Sequence, residues 1–241
     1  MQYPSDPLRG GAPAPASAPG TPAFGGWRWR VACVCAAALL IGGCNSVSLT
    51  GFQTARTILR GTPDPTPDAA AVAANPYAQL RVEGGGIRAL MLLGNDDAGR
   101  LSWFAGSHVV FLRDGQLAGT QGLSVDLEDM RIEGDNPFEH LQQVGDRPVV
   151  VQRRYDWRAG YRFGVPVTGE LVRGELEQVD ILGTSHALVR YDETLSGPGV
   201  RARNVYWAEA DTGYIRKSRQ MIAPGAELEI VVLKPYRGRA R

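Results

Sequence analysis

The sequence predicts an all-β, mainly antiparallel fold: a barrel-like or sharply curved sheet with a short N-terminal helix and one short internal helix. Three observations carry that prediction. From Tyr77 onward, apolar residues recur at alternate positions rather than at helical spacing. Glycine-containing pairs and triplets interrupt these runs at short intervals, as hairpins require. Within this region a single stretch, residues 138–144 after Asn136-Pro137, reads as helical.

The elements begin ahead of the sheet. Over residues 46–60, Leu49, Phe52, Ile58 and Leu59 recur roughly at helical spacing and predict a short amphipathic helix. Gly61-Thr-Pro-Asp-Pro-Thr-Pro67 ends it, because each proline removes a donor and fixes φ. Residues 68–74 read as a helical turn halted before Asn75-Pro76. Leu80 and Val82, then Ile87, Ala89, Met91 and Leu93, alternate on either side of Gly84-Gly85-Gly86, a hairpin with a glycine turn. Runs at 101–104 and 109–112 follow, and Asp114-Gly115 turns the chain into 116–118. Residues 148–157 and 161–182 are long β-branched and polar alternations. Runs at 185–191, 204–209, 214–222 and 226–233 complete the set, with a tight turn at Asp211-Thr-Gly213. About nine or ten strands joined by short turns make a curved or closing antiparallel sheet. Nothing repeats at a period of roughly 20–50 residues, which argues against a solenoid or propeller.

The first 43 residues read as a leader. Residues 1–26 are rich in Pro, Ala and Gly and carry Asp6 and Arg9 as their only charges. Arg28 and Arg30 then precede an apolar run, 31–43, that is too short for the roughly 20 residues a membrane-spanning helix needs. A positive stretch, a short apolar run and small residues before a cysteine make up a secretory signal. Its end, Leu40-Ile-Gly-Gly-Cys44, resembles a bacterial lipobox. That resemblance implies cleavage before Cys44 and acylation of its thiol and new amino group. Several acyl chains together make a stable anchor. Asn45 stands where an aspartate would resemble an inner-membrane retention signal, so the expected address is the outer membrane, facing the periplasm. The expected organisation is a removed leader over 1–43, a lipidated N-terminus with short helix and Pro-rich linker over 44–76, and a single β domain over 77–241.

The whole chain has 26 basic and 25 acidic residues. Removing Arg9, Arg28, Arg30 and Asp6 with the leader leaves 23 and 24, a net charge of −1. So balanced a chain lacks the basic field that nucleic acid would demand. Cys33 and Cys35 leave with the leader and Cys44 is consumed by lipid, so the mature domain is expected to have neither a disulfide nor a cysteine zinc site.

Candidate chemistry is sparse. Gly84-Gly85-Gly86 sits between strands, unlike the glycines of a phosphate-binding turn. Gly183-Thr-Ser185-His186-Ala187 faintly resembles a nucleophile elbow, but Ala187 replaces the second glycine and no histidine follows His186. His108, His140 and His186 show no metal-ligand spacing. The acidic run Asp126, Glu128, Asp129, Glu133 and Asp135 lacks the glycine and ligand spacing of a calcium loop. A solvated edge strand is its plainer reading, with paired carboxylates for glycoside cleavage as the alternative. No catalytic residue, cofactor or metal is expected. Trp103, Trp157, Tyr161, Tyr206 and Trp207 offer flat rings suited either to core packing or to stacking on sugars. Trp103, Trp157, Tyr206 and Trp207 are the candidate glycan or partner contacts.

Two blocks carry a family resemblance. The first comprises Asn75-Pro-Tyr-Ala-Gln-Leu80, Ile87-Arg-Ala-Leu-Met-Leu-Leu93, Leu101-Ser-Trp103, Leu112-Arg-Asp-Gly-Gln-Leu117 and Thr120-Gln-Gly-Leu123. The second comprises Asn204-Val-Tyr-Trp207, Asp211-Thr-Gly213, Lys217-Ser-Arg-Gln220 and Ile222-Ala-Pro224. Together the chain resembles the YjbF-type (GfcB-type) lipoproteins of group 4 capsule and exopolysaccharide operons. The resemblance implies an outer-membrane lipoprotein encoded beside a periplasmic partner and an outer-membrane barrel and needed for polysaccharide production or surface assembly; it brings no known catalytic residue, and the leading expectation is a non-enzymatic accessory to production, secretion or surface assembly. Two other functions fit the outline: a half-barrel carrier of lipid or lipoproteins, and a periplasmic glycan-modifying enzyme. A large apolar cavity favours the carrier, and a filled core favours the accessory role.

Overall fold

The structure, a computed structural model, describes residues 68–236 and residue 238. The helix expected over 46–60 and Cys44 lie outside these residues. Helix α1 (Ala69–Ala74) is capped by Asp68, whose Oδ1 accepts from the Ala70 N–H at 3.2 Å. It stops at Asn75-Pro76, as expected.

Twelve strands follow: β1 (Gln79–Gly84), β2 (Ile87–Asp97), β3 (Arg100–Ala105), β4 (His108–Arg113), β5 (Gln116–Gln121) and β6 (Asp129–Glu133). After them come β7 (Val149–Trp157), β8 (Arg162–Ile181), β9 (Thr184–Gly197), β10 (Val200–Ala208), β11 (Ile215–Ala223) and β12 (Ala226–Lys234). They form one sheet in the order β5-β4-β3-β2-β1-β12-β11-β10-β9-β8-β7-β6, every neighbouring pair antiparallel. Sheet neighbours are chain neighbours except where β1 pairs with β12. The sheet is therefore an up-and-down ring with one seam, between β5 and β6. The Thr120 N–H donates to the Leu127 carbonyl at 2.8 Å beside that seam, and the Leu127 N–H donates to Thr120 Oγ1 at 2.9 Å. The barrel is nearly closed.

Alternation decides which way each strand faces. On β7, Val151, Arg153, Tyr155 and Trp157 are buried while Gln152, Arg154 and Asp156 between them are not. One interior cluster gathers Leu80, Val82, Met91, Trp103, Leu228 and Ile230, and a second surrounds Phe138 and Leu141. On the outer face, the β8–β9 hairpin shifts register between Arg173 and Leu176. Beyond the shift, Ile181 packs with Val72 of α1 and with Val231 and Leu233 of β12.

The all-β, barrel-like expectation holds, with three differences of detail. Twelve strands stand where nine or ten were expected. The five residues of β6 bury Met130 alone, and their charges mask the strand pattern, although an edge strand is where the run sits. The internal helix over 138–144 is a 3-10 segment, Pro137–Gln143, broken at His140. Seven residues make a marginal α-helix, and here the segment serves to turn Phe138 and Leu141 into the barrel. A second 3-10 turn, Ala159–Tyr161, joins β7 to β8. The glycine triplet is a hairpin turn: Gly84 has φ +123°, and a Cβ there would sit 2.3 Å from the Glu227 carbonyl oxygen.

In such a ring alternate turns share an end. The turns after β2, β4 and β10, the 3-10 segment before β7 and the chain's entry from α1 all lie at one mouth. The β7–β8 turn lies at the other.

Candidate functional site

The middle of the barrel is closed by a polar network. Arg153 on β7, Glu193 on β9, Asn204 and Tyr206 on β10, and Gln116 on β5 are all buried. Arg153 donates through Nε and Nη2 to the two oxygens of Glu193 at 2.8 and 2.9 Å, and through Nη2 to Gln116 Oε1 at 2.9 Å. Tyr206 Oη lies 2.8 Å from Glu193 Oε2 and 3.0 Å from Gln116 Oε1, so its one proton has two acceptors. Asn204 Nδ2 donates to Glu193 Oε2 at 3.0 Å, while its Oδ1 accepts from the Met221 N–H at 2.8 Å. Burial alone would push the Arg153 guanidinium down, but the adjacent Glu193 carboxylate holds it above its ordinary value. Burial, and then Glu193, raises the Tyr206 phenol well above its usual range. Both oxygens of Glu193 are engaged, so this ion pair fixes the barrel's interior.

Gly169 makes that network fit. A Cβ on Gly169 would lie 2.2 Å from Glu193 Oε1. Gly169→Ala is expected to lower unfolding free energy by about 1–3 kcal/mol, measured by urea titration. An unchanged midpoint would show that Glu193 can move aside.

At the mouth where α1 enters, the interior is open. A cleft of 460 Å³ is floored by Leu101, Trp103, Leu112, Phe138, Ile215 and Ile230 and rimmed by Asp96, Asp114, Glu139, Tyr214, Arg216 and Lys217. Trp103 is 2% exposed, and its Nε1–H has no hydrogen-bond partner among the described residues; the buried Nε–H of Arg216 has none either. Arg216 reaches Glu209 through Nη1 at 3.2 Å. The Asp114 carboxyl is pushed up by burial and then by nearby Glu139, although Asn136 Nδ2 donates to it at 3.1 Å. Burial pushes the Tyr214 phenol up to about 12. The cleft therefore combines an apolar floor with a rim of three carboxylates, a phenol and two cations.

The aromatic residues singled out in the sequence divide sharply. Trp103, Trp157, Tyr206 and Trp207 are buried and form no sugar-stacking face on the surface. Their alternation along the strands places all four rings against neighbouring side chains. Trp157 stacks on Tyr155 with ring centroids 5.1 Å apart and donates to the Ile222 carbonyl at 2.6 Å. Tyr206 belongs to the polar network. Trp207 lies under the β8–β9 hairpin and donates to Glu177 at 2.7 Å. Trp103 alone of the four lines the mouth cleft. Tyr161 is 88% exposed, at the opposite end of the barrel.

Four of the five residues of the acidic run are held in local ties. Asp126 accepts from Thr120 Oγ1 and from the Gly122 and Leu123 N–H groups. Glu128 pairs with Arg158, Asp129 with Arg131 and Glu133 with Arg154. Among the described residues no group of three or more His, Cys, Asp and Glu side chains could hold a metal ion. The groups that sequence reasoning missed are Arg153, Glu193 and Gln116, and the juxtaposed Asp114 and Glu139. Parity carries a signal for the first two: each sits at an inward position between apolar inward neighbours, Val151 and Tyr155 for Arg153, Tyr191 and Leu195 for Glu193.

Comparison with known proteins gives three findings. A family model described as "Group 4 capsule polysaccharide lipoprotein gfcB, YjbF" matches residues 52–233. The uncharacterized lipoprotein GfcB of Escherichia coli K12 is 24% identical over 204 residues, covering 82% of this chain and 95% of that protein. The crystal structure of the hypothetical lipoprotein YmcC from E. coli K12 superimposes with a TM-score of 0.68 at 20% identity, covering 80% of this chain and all of that one. The last match shows the shared fold.

Proposed function

Because the chain belongs to the YjbF family of group 4 capsule polysaccharide lipoproteins, we propose that it is a non-enzymatic accessory to capsule or exopolysaccharide production, secretion or surface assembly. It is held at the periplasmic face of the outer membrane by acyl chains on Cys44. It acts by contact with polysaccharide and with secretion proteins, a periplasmic partner and an outer-membrane barrel.

The observation that carries the binding role is the division of polar groups. The buried ion pair of Arg153 and Glu193 is saturated by its own neighbours. The polar groups left facing open space are those on the rim of the mouth cleft, Asp96, Asp114, Glu139, Arg216 and Lys217, above an apolar floor. An apolar floor under a polar rim is the make-up of a binding cleft. A carrier that holds acyl chains along the barrel finds less support, since the polar network and Phe138 fill the middle and confine the cleft to one end.

A clean deletion of the gene, complemented by the wild type, tests the reading. Surface polysaccharide is expected to fall severalfold in the deletion and return on complementation. Normal surface polysaccharide in the deletion would sink it.

A further inference from the structure

The chain meets the barrel at the mouth, close to the cleft. Val72 of α1 clusters with Val231 and Leu233 on the outer side of β12, while Ile230 and Val232 of the same strand line the cleft on the inner side. Lys234, the last residue of β12, donates to the Ala73 and Asn75 carbonyls and holds the end of α1 at the rim. The chain just ahead of α1 is thus one sheet layer away from the cleft.

That stretch of chain carries the chemistry the cleft lacks. At helical spacing, about 100° per residue, Leu49, Phe52 and Leu59 fall on one face together with Arg56 and Arg60. Ile58 falls off that face, and Thr54 falls opposite it. The cleft presents the complement, an apolar floor that includes Leu101, Leu112 and Ile215 under a rim that includes Asp96, Asp114 and Glu139. The rim's own cations are committed elsewhere, Arg216 to Glu209 and Lys217 to Glu229, each at 3.2 Å. Among the described residues no ion pair reaches Asp96, Asp114 or Glu139. Glu139 also acts on Asp114 more strongly than the opposing charge of Arg113 does.

We propose that residues 49–60 of this chain dock in the mouth cleft, with Phe52 and Leu59 on its apolar floor and Arg56 and Arg60 against Asp114 and Glu139. The reach suffices. Asp68 lies eight positions after Arg60, about 26 Å of extended chain, against about 9 Å for the length of α1 and about 10 Å for one packed layer. A segment joined to the rim by so short a linker meets the cleft at an effective concentration near millimolar, ahead of a free peptide of the same chemistry. Docking also sets the reach of the anchor on Cys44. Eight positions separate Cys44 from Phe52, about 26 Å extended, whereas 24 separate it from Asp68, about 80 Å. A ligand that displaces the segment therefore lengthens the tether about threefold. The inference stands apart from the polysaccharide reading, which does not require it.

The test uses the mature lipidated protein, one copy per lipid nanodisc. With Cys44 acylated and Cys33 and Cys35 removed with the leader, Thr54→Cys and Asp211→Cys supply the two thiols for a pair of nitroxide labels. Asp211 is exposed, in the β10–β11 turn at the mouth. Pulsed dipolar spectroscopy is expected to give one narrow distance between the labels. Phe52→Asp with Leu59→Asp leaves the barrel untouched, and Asp114→Asn with Glu139→Gln keeps the shapes of the rim side chains. Each pair is expected to remove most of the narrow component and leave a broad distribution, with thermal unfolding within a few degrees of wild type. A broad distribution in the otherwise wild-type protein, or a narrow one that survives either pair of substitutions, would overturn the proposal. So would a Thr54 label relaxed by oxygen dissolved in the lipid, because a basic amphipathic segment beside an acyl anchor then lies on the membrane instead. Each of those outcomes rejects the docked segment and leaves the deletion test of the polysaccharide role unaffected.

Discussion

Glu193→Ala is expected to lower the unfolding free energy by about 3–5 kcal/mol. The substitution leaves Arg153, 1% exposed, as a buried charge without its counter-ion. It also removes one of the two acceptors of Asn204 Nδ2 and the acceptor for one orientation of the Tyr206 hydroxyl. The cost comes from that stranded charge more than from the lost attraction, because a buried pair recovers little beyond its own desolvation. A sharper expectation follows. Replacing both partners with apolar residues of similar length, Arg153→Met with Glu193→Leu, should restore most of what either single change removes. Urea unfolding of the two single variants and the double variant measures this directly. A double variant as unstable as the sum of the singles would show that the network holds the fold by something other than mutual neutralisation.

Phe138→Ala is expected to cost about 3–5 kcal/mol for loss of a buried aromatic ring. Phe138 anchors the 3-10 segment that plugs the barrel's mouth. Its ring meets Tyr206 edge-on at a centroid distance of 5.0 Å, and the Arg153 guanidinium carbon lies 5.2 Å from its centroid. The same side chain forms part of the cleft floor. Removing it should therefore loosen the segment over Pro137–Gln143 as well as the core beneath, visible as faster amide exchange at Leu141 and Val144. Because Phe138 and Glu193 share Tyr206 and Arg153 as neighbours, their effects should not add. Strict additivity would place the plug and the network in independent units.

The strands were legible because their information is local. Alternation marks β1 and the first part of β2, glycine turns mark the β1–β2 and β10–β11 connections, and Asn136-Pro137 marks the start of the internal helical segment. β6 was harder, since two acidic residues and an arginine occupy a five-residue strand whose partner, β7, supplies the compensating cations. The site was mostly illegible for a different reason. Gln116 and Tyr206 stand 90 positions apart, and Asp114 and Glu139 are brought near each other only by the turn after β4 and the plug. Ring closure creates those neighbours, and no spacing rule along one strand encodes it. Aromatics posed the converse problem. A tryptophan in a strand signals a large apolar face, but the choice between core and surface depends on what covers the outer sheet. For Trp207 that cover is the long β8–β9 hairpin, whose bend the sequence does not announce.

The lipid tether and the polysaccharide role are joined in a single allele. With Cys44→Ala at the native locus, outer-membrane fractions and surface polysaccharide are measured together against wild type. The account predicts that the protein leaves the outer-membrane fraction and that surface polysaccharide falls toward the level of the deletion. A protein that still fractionates with the outer membrane, or polysaccharide that stays at the wild-type level after the protein has left it, would contradict a tethered accessory role.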